Sequence, residues 1–299
     1  MTKLDHIGDG TPRTSSLLAW FTDGLGLVHR VVLSVSRNRL VANSGSVAFF
    51  GLMAIFPAIA TIVSLYGMFA DPHVITSHLN LLKDVFPQSV IGLIRYQVLR
   101  VAGRSNSVQS LTFFISVAIA LWSANSGMTA LFDALNVVYG EKEKRSLPRF
   151  YATTLTATFA TVVFALFAIA GVVVLPIVWN FVGFHTSLDK LLGWLRWPIL
   201  FVVDTLALDI IYRVGPSRLG AKWHWFTWGS VLATFAWLGA SLLFSWYVSA
   251  FDSYDRVYGS LGAVIGFMTW IWVSVLIILV GAAFNVELAR SATGAKASP

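Results

Sequence analysis

Six stretches of this chain are long and apolar enough to cross a bilayer, and they limit its fold more than any other feature. They lie near 46–70, 108–138, 151–179, 197–214, 226–250 and 260–289. A helical crossing takes about 20 apolar residues, and only helices or closed barrels satisfy every backbone polar group inside hydrocarbon. The reading is an all-α polytopic membrane protein with six transmembrane helices. The second and sixth stretches exceed one crossing, so each tilts or runs beyond the lipid. Charged residues make up only 12% of the chain, half the share of about 25% that covers a soluble domain. Twelve Trp and eight Tyr suit the two interfacial belts of a membrane protein.

Around these spans the chain divides into a cytoplasmic N-terminal segment (1–45), the transmembrane domain (46–290) and a disordered tail (291–299). No signal-peptide pattern precedes the first span, so the N-terminal segment is expected to be retained. Two segments read as short amphipathic interfacial helices. In the first, Leu17, Trp20, Phe21, Val28, Val31, Val32 and Val35 recur at helical spacing, with Arg30, Arg37 and Arg39 among or just after them. In the second, Leu82, Val85 and Phe86 precede Pro87, and Ile91, Ile94 and Val98 follow it. Core packing against the spans is the alternative for both.

Lys and Arg set the orientation. Five precede the first span, four lie in 139–150, three in 213–225 and two in 290–299. The opposite side has four in 71–107, two in 180–196 and one in 251–259. The excess puts both termini in the cytoplasm. The net charge of +7 is then topological and suited to anionic lipid headgroups. Nucleic acid is not an expected partner, because no recognition motif or basic-aromatic platform accompanies it.

Enzyme signatures are missing. The chain has no Cys, which removes disulfides, thiol nucleophiles and thiolate metal sites. There is no GxSxG, HExxH or GxxxxGK[ST] pattern. His73 and His78, five apart in a loop, make a poor metal site. No enzyme activity, metal or cofactor is expected.

Ionisable groups at membrane depth are the functional suspects, since each costs several kcal/mol in hydrocarbon. Asp204 lies about 10 Å into the fourth span and Asp209 about 140° further around the helix, so they cannot form a dyad. Arg213, four residues on, is the expected ion-pair partner of Asp209. Asp204 has no such partner; it takes a hydrogen bond from another span, is protonated, or faces a wet cavity. On the second span Trp122, Ser126, Thr129, Asp133, Asn136 and Gly140 form one stripe with Asn125 at its edge. Such a face meets other helices or an aqueous path, not lipid. Asn285, Glu287 and Arg290 fall at the cytoplasmic exit of the sixth span, where a solvated helix end is expected. Pro57 should kink the first span, and Gly259, Gly262 and Gly266 permit close backbone approach on the sixth.

Four segments resemble the YihY/BrkB family of bacterial inner-membrane proteins, once misnamed ribonuclease BN. They are SVAFFGLMAIFPAIATIVSLYG, LWSANSGMTALFDALNVVYG, IIYRVGP and SWYVSAFDSYDRVYGSLGAVIGFMTWIWVSVLIILVGAAFNVELAR. The carry-over falls on Pro57, Gly127, Leu131, Asn136, Tyr139, Tyr212, Pro216, Tyr258, Gly259, Gly281 and Asn285. One departure stands out: the family's GAE[LI]N reads Gly281-Ala282-Ala283-Phe284-Asn285 here, without the acidic residue, and Glu287 lies four residues later on the same face. The resemblance implies a six-span protein of the cell envelope, linked to envelope integrity and to export of lipid or lipopolysaccharide precursors. The polar stripe, Asp204, the kink at Pro57 and the basic cytoplasmic loops point to a transporter or flippase-like exporter of a lipidic or amphiphilic anion. The alternatives are a scaffold that docks envelope partners, a proton-coupled small-solute transporter using Asp204, and an enzyme acting on lipid-linked substrates.

Overall fold

The computed structural model describes residues 14–69, 106–169, 187–218, 226–250 and 260–292. Within them the chain is helical, with no strand. The helices are α1 (Thr14–Arg37), α2 (Leu40–Phe69), α3 (Asn106–Tyr139), α4 (Leu147–Ile169), α5 (Ser187–Val214), α6 (Trp228–Ala250) and α7 (Ser260–Ala292). The second amphipathic segment, Tyr258 and Gly259 lie outside the described residues.

Among the described residues, five helices are long and apolar enough to cross a membrane: Leu40–Thr61, Phe113–Tyr139, Leu147–Ala168, Trp228–Tyr247 and Val264–Ser291. The fourth expected crossing falls in α5, a single helix that starts ten residues earlier than the apolar stretch and carries Pro198 inside it. Asp204, Asp209 and Arg213 lower its apolar average below that of the other five.

The helix ends follow local chemistry. After α3, Gly140 has a φ of +66°, its N–H bonds the Val137 carbonyl and that of Glu141 bonds Asn136. This is a Schellman stop, which glycine adopts without a Cβ clash. Thr227 caps α6, its hydroxyl accepting the N–H of Ser230 at 3.3 Å, the usual reach of an N-cap side chain. Pro148 sits in the first turn of α4, where its missing N–H costs nothing.

α7 is the centre of the packing, touching α1, α2, α3 and α6, while α2 and α3 pack along their length. Gly127 lets α3 approach α2 closely, with Phe50, Gly51 and Val47 within 4 Å of where a Cβ would stand. The core joins Leu40 and Val47 of α2, Phe132 and Leu135 of α3, Leu208 and Tyr212 of α5, Ala233 of α6 and Leu279 of α7. Pro57 lies within α2, where its lack of an N–H leaves the Met53 carbonyl without an in-helix donor. The Thr61 hydroxyl bonds the Pro57 carbonyl at 2.9 Å.

Candidate functional site

The polar residues of the spans gather into distinct groups. The largest lies where α3, α5, α6 and α7 meet. Asp209 of α5 accepts the Thr227 hydroxyl at 2.7 Å and its N–H at 3.2 Å. Asn285 of α7 donates to the Thr227 hydroxyl at 2.9 Å and accepts the Gly229 N–H at 2.7 Å. The start of α6 is thereby held by side chains of two other helices, which satisfies N–H groups that no helix can satisfy alone.

Asp209 is therefore not the partner of Arg213. Its carboxylate is buried against the start of α6, whose N–H groups and dipole favour a negative charge. One guanidinium nitrogen of Arg213 is buried without a hydrogen-bond partner among the described residues.

Tyr212 continues the group, donating to the Ile278 carbonyl at 2.7 Å. A Cβ on Gly281 would stand 2.5 Å from that hydroxyl and 2.6 Å from the Gly229 carbonyl. A Cβ on Gly229 would clash with the Gly281 carbonyl and with Asn285. α6 and α7 thus cross on a pair of glycines.

The second group is built by the loop after α3. Glu143 and Arg145 form a two-pronged ion pair, each nitrogen–oxygen distance 2.7 Å. Arg145 also donates to the Val214 and Gly215 carbonyls at 3.0 and 2.7 Å, satisfying the end of α5, and stacks between the rings of Phe132 and Phe150. Asn136 bonds Glu143 at 3.0 Å and accepts the Ser217 N–H at 2.7 Å. The arginine's hydrogen bonds, reinforced by its backbone N–H and by Asn136, hold the Glu143 carboxyl down at about 2. Arg218 stacks 4.0 Å above the Tyr139 ring.

Asp204 lies deeper between α5 and α6. It accepts the Thr234 hydroxyl at 3.1 Å, and the Thr205 hydroxyl lies 3.2 Å from that of Thr234. A neighbouring helix therefore supplies its partner, as the first of the three alternatives required. The pairing 209–227 and 204–234 reflects two antiparallel helices in register.

The α3 stripe is not uniform. Trp122 and Asp133 are exposed, whereas Asn125 and Asn136 are buried. The Ser126 hydroxyl bonds the Trp122 carbonyl at 2.8 Å. The Asn125 side-chain oxygen and the Thr129 hydroxyl, one turn apart, are buried with no hydrogen-bond partner among the described residues.

Glu287 corrects the expectation of a solvated helix end. Its side chain is 4% exposed. Arg290 donates to it at 2.8 Å, and Arg30 and Arg37 of α1 approach it at 3.8 and 4.0 Å. Gly262 and Gly266 are partly buried on α7, and a Cβ at Gly266 would meet only the Phe244 ring, at 3.8 Å.

The residues missed by sequence reasoning are Glu143, Arg145, Thr227 and Thr234. Only Thr227 carried a local signal, a hydroxyl residue three before Ser230 at the head of an apolar run. Asp133, Asp204 and Glu287 fall in three separate groups, and among the described residues no three His, Asp or Glu side chains converge as metal ligands would.

The family model described as virulence factor BrkB matches residues 31–299. The chain belongs to the BrkB family. Among BrkB-like relatives, the Bacillus subtilis ribonuclease-like protein YfkH is 29% identical over 83% of this chain and 89% of its own length. A UPF0761 membrane protein of Haemophilus influenzae is 24% identical over 83% and 89%. One of Alkalilimnicola ehrlichii is 24% identical over 85% of this chain but only 56% of that longer protein. No solved structure matches the chain. Of the eleven BrkB residues carried over in the resemblance, Asn136, Tyr212, Gly281 and Asn285 belong to the two groups that bind α3, α5, α6 and α7 together.

Proposed function

We propose that this BrkB-family membrane protein moves a lipidic or amphiphilic anion across the bacterial inner membrane along the polar face of α3. The observation that carries this reading is the pair Asn125 and Thr129. Both bury a polar atom in an apolar span without a hydrogen-bond partner among the described residues, a state that costs about 1–3 kcal/mol per group unless water or a bound polar group completes it. They share a helix face with exposed Asp133, so a polar guest has a continuous line of contacts to follow. By contrast Asn136, Asp209 and Asn285 are occupied in holding helices together. They are positioning residues rather than path residues.

A six-span architecture with both termini cytoplasmic accompanies this reading, with α5 as the sixth crossing. α5 turns Ile199, Val202, Val203 and Ile210 outward, an apolar stripe at helical spacing, while Asp204 and Asp209 face α6. These two carboxylates point toward α6 rather than outward, so the helix's low average hydropathy does not bar it from lipid. A nuclease role, suggested by the printed name of the Bacillus relative, has no support in this apolar, carboxylate-poor chain.

The test is flux in reconstituted vesicles. Labelled anionic lipid should cross faster than in empty vesicles, and Asn125→Leu or Thr129→Val should slow it without lowering the melting temperature. Absence of any lipid or small-solute flux above empty vesicles would sink the reading.

A further inference from the structure

At the elbow between α1 and α2 lies a groove of about 680 Å³ lined by Val32, Val35, Ser36, Arg39, Val41 and Ala42. We propose that this groove is a binding site for one anionic glycerophospholipid, with its phosphate on Arg39 and an acyl chain along the valines. The site is separate from the α3 face and does not depend on transport.

Its position fits a lipid at headgroup level. Arg39 immediately precedes the apolar span that begins at Leu40, so its charge stands where the hydrocarbon of α2 ends. Val32 and Val41 are 60% and 49% exposed, and such surface is stable beside acyl chains rather than in water. A volume of this size falls within the range of about 300–1,000 Å³ that holds small ligands.

Charge selects the anionic class. Residues 26–45 carry Arg30, Arg37 and Arg39 and no Asp or Glu. Among the described residues Glu287 is the carboxylate that meets this face, and Arg30, Arg37 and Arg290 already share it. Arg39 is exposed and makes no side-chain hydrogen bond or ion pair among the described residues, so its guanidinium is available to a phosphate, which it matches with two parallel N–H donors.

The backbone supports the same conclusion. Arg39 has a φ of +50°, the left-handed region where a residue with a Cβ is disfavoured by about 1–2 kcal/mol and glycine is not. An arginine stands at the one position of this elbow where glycine would relieve strain, which is the pattern of a side chain retained for what it binds.

The experiment uses the full-length protein in detergent, titrated with phosphatidylglycerol or phosphatidylcholine and followed by native mass spectrometry and thermal melting. Phosphatidylglycerol should bind more tightly and raise the melting temperature more. Arg39→Gly should leave the lipid-free melting temperature unchanged or higher, yet weaken phosphatidylglycerol binding about fivefold, the effect of one cation at an anionic surface. Ala42→Phe, which fills the groove and keeps the charge, should weaken it as well. Equal binding of the two lipids, or wild-type affinity in both variants, would overturn the proposal. Displacement of the lipid by millimolar inorganic phosphate would overturn it too, by making the site one for a free anion.

Discussion

The Thr227 hydroxyl donates to Oδ1 of Asp209 at 2.7 Å, and the Thr227 backbone N–H is shared between both carboxylate oxygens at 3.2 and 3.3 Å. This contact ties the end of α5 to the start of α6. Removing the carboxylate leaves those donors buried, and hydrogen bonds to a charged group contribute about 1.5–3 kcal/mol. Asp209→Ala should therefore lower the melting temperature in detergent by several degrees. Asp209→Asn, which keeps an acceptor, should lose less. Arg213→Gln should not reproduce the effect, because Arg213 does not pair with Asp209; equal destabilisation by both would contradict the geometry.

The glycine crossing of α6 and α7 makes a sharper prediction. Gly281→Ala drives a methyl into the Tyr212 hydroxyl, the Gly229 carbonyl and the Ala233 methyl. Backbone cannot yield as a flexible side chain does, so the cost is at least the 1–3 kcal/mol or so of ordinary overpacking. Gly239, also on α6, has nothing among the described residues within 4 Å of its Cβ position. Gly239→Ala should change stability by less than about 1 kcal/mol. Thermal melts of the two variants give the comparison.

Five of the helices were legible because their apolar runs reach a bilayer's thickness, and the stop at Gly140 and the cap at Thr227 obey local rules. The polar partnerships were not. The four-residue rule linked Asp209 to Arg213, but that rule sees one helix. The winning partner, Thr227, is 18 residues away at the head of another helix, and brings helix-end N–H groups that an arginine cannot match. Arg145 was invisible for a related reason: its role depends on the α5 carbonyls of Val214 and Gly215, some 70 residues distant. Charge at the last turn of α7 reads as solvated until α1 folds over it.

Glu143 gives a pH prediction. Its folded-state carboxyl sits at about 2 against an ordinary 4.5. A depressed value means that the carboxylate stabilises the fold at any pH above about 4.5, and that this contribution fades as the pH falls towards 2. Melting temperature should drop over that window. In Glu143→Gln the drop should be smaller, and the variant should be the less stable protein at pH 7, since Arg145 then loses its paired acceptor while still capping α5.

Glu287 makes the last prediction, because it is the meeting point of α1 and α7. A carboxylate almost removed from water faces Arg30 and Arg37 from one helix and Arg290 from its own, and Arg30 also reaches the Ser291 hydroxyl at 2.8 Å. Glu287→Gln keeps the shape but removes the charge that offsets three guanidiniums. The arginines of α1 then repel Arg290 across the interface, and α1 should spend more time undocked. Trypsin reports this directly, since Arg30 and Arg37 are cleavage sites only when the helix opens. Cleavage there should be severalfold faster in Glu287→Gln, with the melting of the remaining helices little changed. Unaltered cleavage would mean that Val31 and Ser34, both buried on the same side of α1, hold the helix down without the ion pairs.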